Sequence, residues 1–343
     1  MHVTDVHAYY ETRSGPIRAV DGVSLELNHG EILGIVGESG CGKSTLAAAL
    51  SASGPPNLRI GKGKLTLDDR ATVDLATSGG TPREWRGDVI SLLPQRALNS
   101  LNPTSRIGDY AYDVIRAHNS KLRKREALEL AGDRMVQLGL PARVLQNYPH
   151  QLSGGMRQRV VTVISTLLNP TVLIADEPTS ALDVSSQKAL ILLLEKMMEE
   201  GMISRVMFIT HDLALLSNIA DRVAVMYAGE IVEIGTTREV VSRPQHPYSK
   251  ALIGATLEPD PQQRKLTIQG LPGSSPDMRN PPQGCRFHPR CPYAMDICTR
   301  EAPPRMGPAH NHATCWWVKQ QADKGLDTGG IDRVTGERVA TAS

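Results

Sequence analysis

The run Gly37-Glu38-Ser39-Gly40-Cys41-Gly42-Lys43-Ser44-Thr45 carries the chemistry most suited to gripping a polyphosphate. It fits G-x-x-x-x-G-K-[ST] without a mismatch. In that pattern the glycines let the backbone curl so that successive N–H groups point into one concave nest. The positive end of the following helix adds to it. Lys43 is placed to reach the β- and γ-phosphates as a mobile charge, and the Ser44 hydroxyl to ligate Mg2+. A pair of carboxylates, Asp176-Glu177, ends the apolar run Thr171–Ala175, where an acid can direct Mg2+ beside such a loop. Ser153-Gly154-Gly155 precedes Met156-Arg157-Gln158-Arg159 and a helical stretch. Ser153 suits an N-cap there, and the two glycines let a phosphate approach bare backbone. Gln95 follows the apolar run Val89–Leu93, and His211 stands at the tip of Arg205–Thr210. Nucleoside triphosphate binding is the expectation.

Several elements must position these groups. Glu31–Val36 reads as a buried strand leading into the loop, and Thr45–Leu50 as the opening of a helix. Val23, Leu25 and Leu27 alternate with polar residues, as in a half-buried strand. Tyr9-Tyr10 ends another alternating stretch, where either ring could stack on a base. Lys64–Leu67 and Thr72–Leu75 read as a hairpin, Tyr110–Leu140 as helical, and Arg222–Tyr227 as one more strand. The basic run Lys121–Arg125 reads as a solvated helix face. Apolar strand-length runs alternating with helical patterns predict a largely parallel sheet covered on both faces.

With 343 residues there is material for one large domain or two. A net charge of +2 gives no sign of a general nucleic-acid binder. Residues Met1–His7 have neither the basic nor the apolar region of a signal peptide, and no apolar run approaches the ~18 residues of a membrane span. A soluble, cytosolic chain is expected, so its five cysteines are not read as disulfides. Cys285, Cys291, Cys298 and Cys315 leave five, six and sixteen residues between successive members. Zinc favours tighter knuckles, while an iron–sulfur cluster spreads its ligands around a larger object. Spacing leaves zinc, a cluster and unliganded buried cysteines all open. Cys41, in the loop, is set apart from this group, and His288, His310 and His312 are left out of the ligand set.

The ordered set resembles an ATP-binding-cassette (ABC) ATPase over residues 1 to 235. It is similar to that family's Walker A at Gly37–Thr45, Q-loop at Gln95, signature at Leu152–Gln158, Walker B at Val172–Glu177, D-loop at Ser180–Asp183 and switch histidine at His211. A GTPase of the same superfamily would need N-K-x-D, and Asn218-Ile219-Ala220-Asp221 lacks the lysine. The resemblance implies an α/β P-loop fold with a mixed sheet core, an antiparallel β subdomain and a helical signature subdomain at about 96–165. It implies ATP and Mg2+ as ligands, the metal held through Ser44, Gln95 and Asp176. It also implies Glu177 as general base, His211 and Gln95 on the γ-phosphate and attacking water, and Tyr10 (with Tyr9 the alternative) stacking on adenine. Ser153, Gly154 and Gly155 would close over the ATP of a partner cassette, either a second copy or a paralogue.

Met156 replaces the generic glutamine of the signature, as is usual in the importers of oligopeptides and dipeptides, whose relatives carry nickel or oligosaccharides. Asn99–Pro103, Arg243–Leu252 and the tail Gly284–Trp316 resemble that group too. The implied partners are two membrane permease chains and an extracytoplasmic solute-binding protein, with the motor peripheral on the cytoplasmic face of the cell membrane. A DNA- or ribosome-associated ABC ATPase is the alternative. The surface Arg96–Ile107, with Leu98 and Leu101, would receive a permease helix. Residues 236–321 would form a small irregular extension in which Cys285, Cys291, Cys298 and Cys315 hold a [4Fe–4S] cluster, and 322–343 a flexible tail.

Overall fold

The computed structural model describes residues 1–68, 70–77, 79–95, 101–255 and 273–325. The chain begins with β1 (His2–Tyr10) and β2 (Ile17–Glu26), which pair antiparallel, and then β3 (Ile32–Val36) runs into the phosphate loop and α1 (Lys43–Ser51). Next come β4 (Leu58–Thr66) and β5 (Val73–Asp74), the expected hairpin, then β6 (Ile90–Leu93). Three helices follow: α2 (Ile107–His118), α3 (Lys124–Gln137) and α4 (Gly154–Ser165). The alternation β7 (Val172–Asp176), α5 (Val184–Glu199), β8 (Arg205–Ile209), α6 (Leu213–Ile219) leads to the hairpin β9 (Arg222–Tyr227) and β10 (Glu230–Thr236). Last are α7 (Thr237–Ser242), α8 (Pro247–Gly254), β11 (Arg305–Met306), β12 (His312–Thr314) and α9 (Trp316–Asp323).

Among the described residues two sheets form. One is antiparallel, in the order β2-β1-β4-β5, and the other is mixed, in the order β11-β12-β10-β9-β3-β8-β7-β6. The five strands from β9 to β6 are mutually parallel, as expected, and β10, β12 and β11 add antiparallel at one edge. β3, β7, β8 and β9 are buried along their whole length, which is why they read as apolar runs apart from Asp176, Arg205 and Arg222 at their ends. Their period of two divides them between two cores. Leu33, Ile35, Ile174 and Met207 face α1 and the antiparallel sheet, while Val36, Leu173, Phe208 and Val225 face the helices.

The single helical stretch expected over 110–140 is two helices. Asn119 ends α2, and α3 restarts after Arg123, whose backbone N–H and guanidinium both go to Glu126. The basic run lies at this restart and is exposed, with Lys124 also reaching Asp109 at 2.7 Å. Leu101, expected on a docking surface, is buried in the helical core instead. Leu98 and the rest of 96–100 lie outside the described residues, as do 326–343 of the expected tail.

The expected boundary at 235 falls on the last residues of β10. The chain beyond it packs into the cassette: Ala313 and His312 of β12 pair with Glu233 and Ile234 of β10. Tyr248, Cys285, Phe287 and Cys298 lie in the same apolar cluster as the parallel strands. The extension widens the main sheet and shares its core.

Candidate nucleotide site

The parallel register sets the strand ends level, with Ile35 beside Ile209, Ile209 beside Asp176, and Ala175 beside Leu93. The residues that follow these ends therefore meet along one edge of the sheet, where ligands of such folds bind. Two loop glycines are required by close packing. A Cβ on Gly37 would stand 2.1 Å from the Met226 carbonyl oxygen, and one on Gly42 2.0 Å from that of Ala19. Gly42 also holds φ +110, a region that favours glycine. The loop is thus clamped between β9 and β2 before any phosphate is considered. Ser39 and Gly40 at its tip are exposed, whereas Cys41 is buried, with its carbonyl accepting from Gly229 N–H at 2.8 Å.

Lys43 is buried, and its ammonium donates to the carbonyls of Gly37 at 2.7 Å and Glu38 at 3.0 Å. Ser44 Oγ donates to Asp176 Oδ1 at 3.1 Å, joining the start of α1 to the end of β7. Burial pushes the Asp176 carboxyl above its ordinary range, against the Ser44 hydrogen bond. A buried carboxylate beside a hydroxyl is the oxygen-donor chemistry that a hard divalent cation takes. Glu177, next in the chain, holds φ +47, and its N–H donates to Ile209 O at 2.8 Å. The turn sends its carboxylate outward, where Gln95 Nε2 meets Oε2 at 3.0 Å and His211 Nδ1 lies 3.3 Å from Oε1. Two residues expected from separate stretches of sequence therefore converge on the carboxylate of a third.

Of the two tyrosines, Tyr10 is tied to the site, its hydroxyl 3.1 Å from Thr45 Oγ1. The Tyr9 ring lies against Gly61 of β4. Ser153 caps α4 as expected, accepting from Met156 N–H at 3.3 Å. Gly154 has open space around it, and Gly155 sits against Ser186 of α5, so close that a Cβ would come within 2.4 Å of its hydroxyl. Only Gly155 is packed against α5, and Ser153 and Gly154 are left exposed.

Sequence reasoning missed what holds Glu38. Its carboxylate takes both arms of Arg290, at 2.8 and 2.9 Å, and accepts from Ser275 Oγ at 2.8 Å, while its N–H donates to Tyr248 Oη at 2.8 Å. The Arg290 guanidinium holds the Glu38 carboxyl below its ordinary range. A pair separated by 252 residues leaves no local signal in the sequence.

All five cysteines are free. Cys285 N–H donates to Cys298 O at 2.8 Å, and Cys315 stands at the start of α9. Burial pushes the Cys285 thiol up to about 12 and the Cys291 thiol to about 11, with neighbouring cysteine charge adding to both; Cys315 is raised the same way. The four thiols are thus near enough to act on one another. Among the described residues, however, no three His, Cys, Asp or Glu side chains form a group able to hold a metal ion, so the expected metal centre is not seen as a compact set.

The family model "ABC transporter" matches residues 20–180, and the model "Oligopeptide/dipeptide transporter, C-terminal region" matches residues 232–298. The chain is 41% identical over 305 residues to the dipeptide transport ATP-binding protein DppD of Caldanaerobacter subterraneus subsp. tengcongensis, covering 88% of this chain and 92% of that protein. It is 39% identical over 327 residues to the oligopeptide transport ATP-binding protein OppF of Escherichia coli, covering 92% and 95%. The dimeric structure of MJ0796, a bacterial ABC transporter cassette, matches with a TM-score of 0.58 and 25% identity over 69% of this chain and 98% of that one. Motif order, fold and relatives agree, and the chain belongs to the ABC transporter ATPases of the oligopeptide/dipeptide transporter family.

Proposed function

We propose that this chain is the ATP-hydrolysing motor of an importer of dipeptides or oligopeptides. The observation that carries the ATPase reading is the convergence of Gln95 and His211 on the two oxygens of Glu177, beside the Ser44–Asp176 pair. Glu177 acts as general base, taking a proton from the attacking water. His211 and Gln95 hold that water and the γ-phosphate in line. Lys43, with the backbone N–H groups of Gly37–Thr45, grips the phosphates, and Tyr10 stacks on the adenine. Ser44, Asp176 and Gln95 would hold Mg2+, which would supply positive charge to neutralise the phosphate oxygens. The exposed Ser153 and Gly154 complete the site of a second cassette, and the dimeric cassette to which the fold is similar supports that pairing.

The peptide cargo rests on the names of the relatives and on the match of the C-terminal region. No helix among the described residues is long and apolar enough to cross a membrane. Separate permease chains are the partners this reading needs, with an extracytoplasmic binding protein delivering the peptide and the motor bound at the cytoplasmic face. Purification of the tagged full chain from its membrane should bring two permease chains with it, and peptide-loaded binding protein should stimulate ATPase activity in reconstituted vesicles. Recovery with nucleic acid or ribosomes and no permease would overturn the importer reading.

For Cys285, Cys291, Cys298 and Cys315 we propose a [4Fe–4S] cluster. What supports it is the spacing of four free cysteines within one extension, two of which, Cys285 and Cys298, are in backbone contact. Its role is to staple the loop-rich extension. Anaerobically purified protein should be brown and hold about four irons per chain; stoichiometric zinc without iron would remove the cluster and keep the ligands.

A further inference from the structure

Arg290 is a long way from the phosphate loop in sequence and in direct contact with it in space. Its side chain is only 7% exposed, and both guanidinium arms meet the Glu38 carboxylate. The Arg290 guanidinium also donates to Tyr227 Oη at 3.3 Å and lies over that ring. Tyr227 packs with Tyr248 and Phe287, at ring-centroid distances of 4.6 and 5.2 Å. Tyr248 in turn accepts the Glu38 N–H. Glu38 is therefore fixed at its carboxylate and at its amide by residues of the C-terminal extension.

The backbone around Arg290 is itself held. Residues His288–Arg290 form one 3₁₀ turn, with Arg290 N–H donating to Phe287 O at 3.0 Å. Arg286, one turn earlier, forms ion pairs with Asp21 and, at 3.1 Å, with Glu230. Five residues between Cys285 and Cys291 thus send two arginines into the cassette.

We propose that Arg290 is a positioning residue for nucleotide binding, acting through Glu38. Two physical effects follow from the contacts. The first is geometric. Lys43 donates to the carbonyls of Gly37 and Glu38, so movement of Glu38 moves the cradle of the lysine that must reach the phosphates. The second is electrostatic. Glu38 is a carboxylate inside a loop built for a polyanion, and an unpaired negative charge there repels the ligand. The bidentate guanidinium cancels that charge in a fixed geometry that a lysine cannot reproduce.

The proposal rests on the loop Gly37–Thr45 being the nucleotide site, and the test separates the two claims. Labelled ATP is titrated into the anaerobically purified full chain, with thermal unfolding as a check of folding. Lys43→Ala is the reference, and it should abolish or greatly weaken binding. If it binds as wild type does, the loop assignment itself falls. Given that loss, Arg290→Met should weaken binding by about ten- to hundredfold, the range of one charge-assisted hydrogen-bonded pair. Adding Glu38→Gln to Arg290→Met should recover much of the affinity, because the uncancelled charge is then gone. In the assembled ATPase, Arg290→Met should raise KM for ATP far more than it lowers kcat. Unchanged binding in Arg290→Met would overturn the proposal. So would a loss that Glu38→Gln fails to relieve, since that outcome means packing alone. If Arg290→Met does not fold, Arg290→Lys takes its place: it keeps the charge and loses the fork, so a several-fold weaker affinity is expected and wild-type affinity overturns the idea.

Discussion

Two glutamates at the candidate nucleotide site are held in opposite ways. Glu177 is met by an amide and an exposed imidazole, at 3.0 and 3.3 Å, and among the described residues no arginine or lysine is paired with it. Glu38 is met by the bidentate guanidinium of the buried Arg290 and by a serine hydroxyl, at 2.8 to 2.9 Å. A carboxylate that must accept a proton from water needs partners it can exchange, whereas one that anchors a loop needs partners that never leave. The difference separates chemistry from scaffolding within one site, although both residues are the same type and both sit just past a parallel strand.

The comparison breaks if Glu177 is also only an anchor. Glu177→Gln should therefore lower turnover by about 10²–10⁴ with ATP binding intact; single-turnover hydrolysis and analogue titration on the same preparation measure both. Wild-type turnover would return Glu177 to scaffolding. On the anchor side, Phe287 is fully buried beneath Tyr227 and Tyr248. Phe287→Ala should cost about 3–5 kcal/mol of stability, read as a shift in the midpoint of denaturant unfolding. A loss under 1 kcal/mol would mean the extension is docked by its charges alone.

The smallest expected effect is in acid. The Glu38 carboxyl is held below its ordinary value of 4.5, chiefly by Arg290. Its contribution to stability is therefore fully present above 4.5 and is lost as pH falls through the lower folded value. The gap in melting temperature between wild type and Glu38→Gln should be constant above that value and shrink below it. A gap that persists at lower pH would show that the pair contributes no proton-linked stability.

The nucleotide half was legible because its information is local. The loop is one unbroken segment, the strands before Gly37, Asp176 and His211 are largely apolar, and three helix starts carry their own caps, at Ser153, Asp183 and Asp212. The break at Asn119–Arg123 was missed because good helix formers lie on both sides of the short Asn119-Ser120 pair, and the restart depends on where Glu126 reaches. Leu101 is expected on a docking surface because its stretch follows Gln95, yet the helical core takes it in. The docking of the extension was invisible for a different reason. Arg286 and Arg290 read as ordinary surface charges, and their partners Asp21, Glu230 and Glu38 lie 56 or more residues away in the chain.

The clamp on Glu38 also sets an order of events on the ribosome. Arg290 is made 252 residues after Glu38. At about 5–20 residues per second that is an interval of about 13–50 s. β3 gains its neighbours only once β8 and β9 are made, so in the last part of that time the nascent chain can hold a paired strand, loop and helix whose phosphate loop lacks its arginine. The outer edge of β10, which β12 covers in the finished protein, is still bare as well. A chain halted before residue 285 would carry a recognisable nucleotide loop and an open sheet edge together, which makes the last-made segment the one that closes an aggregation-prone intermediate.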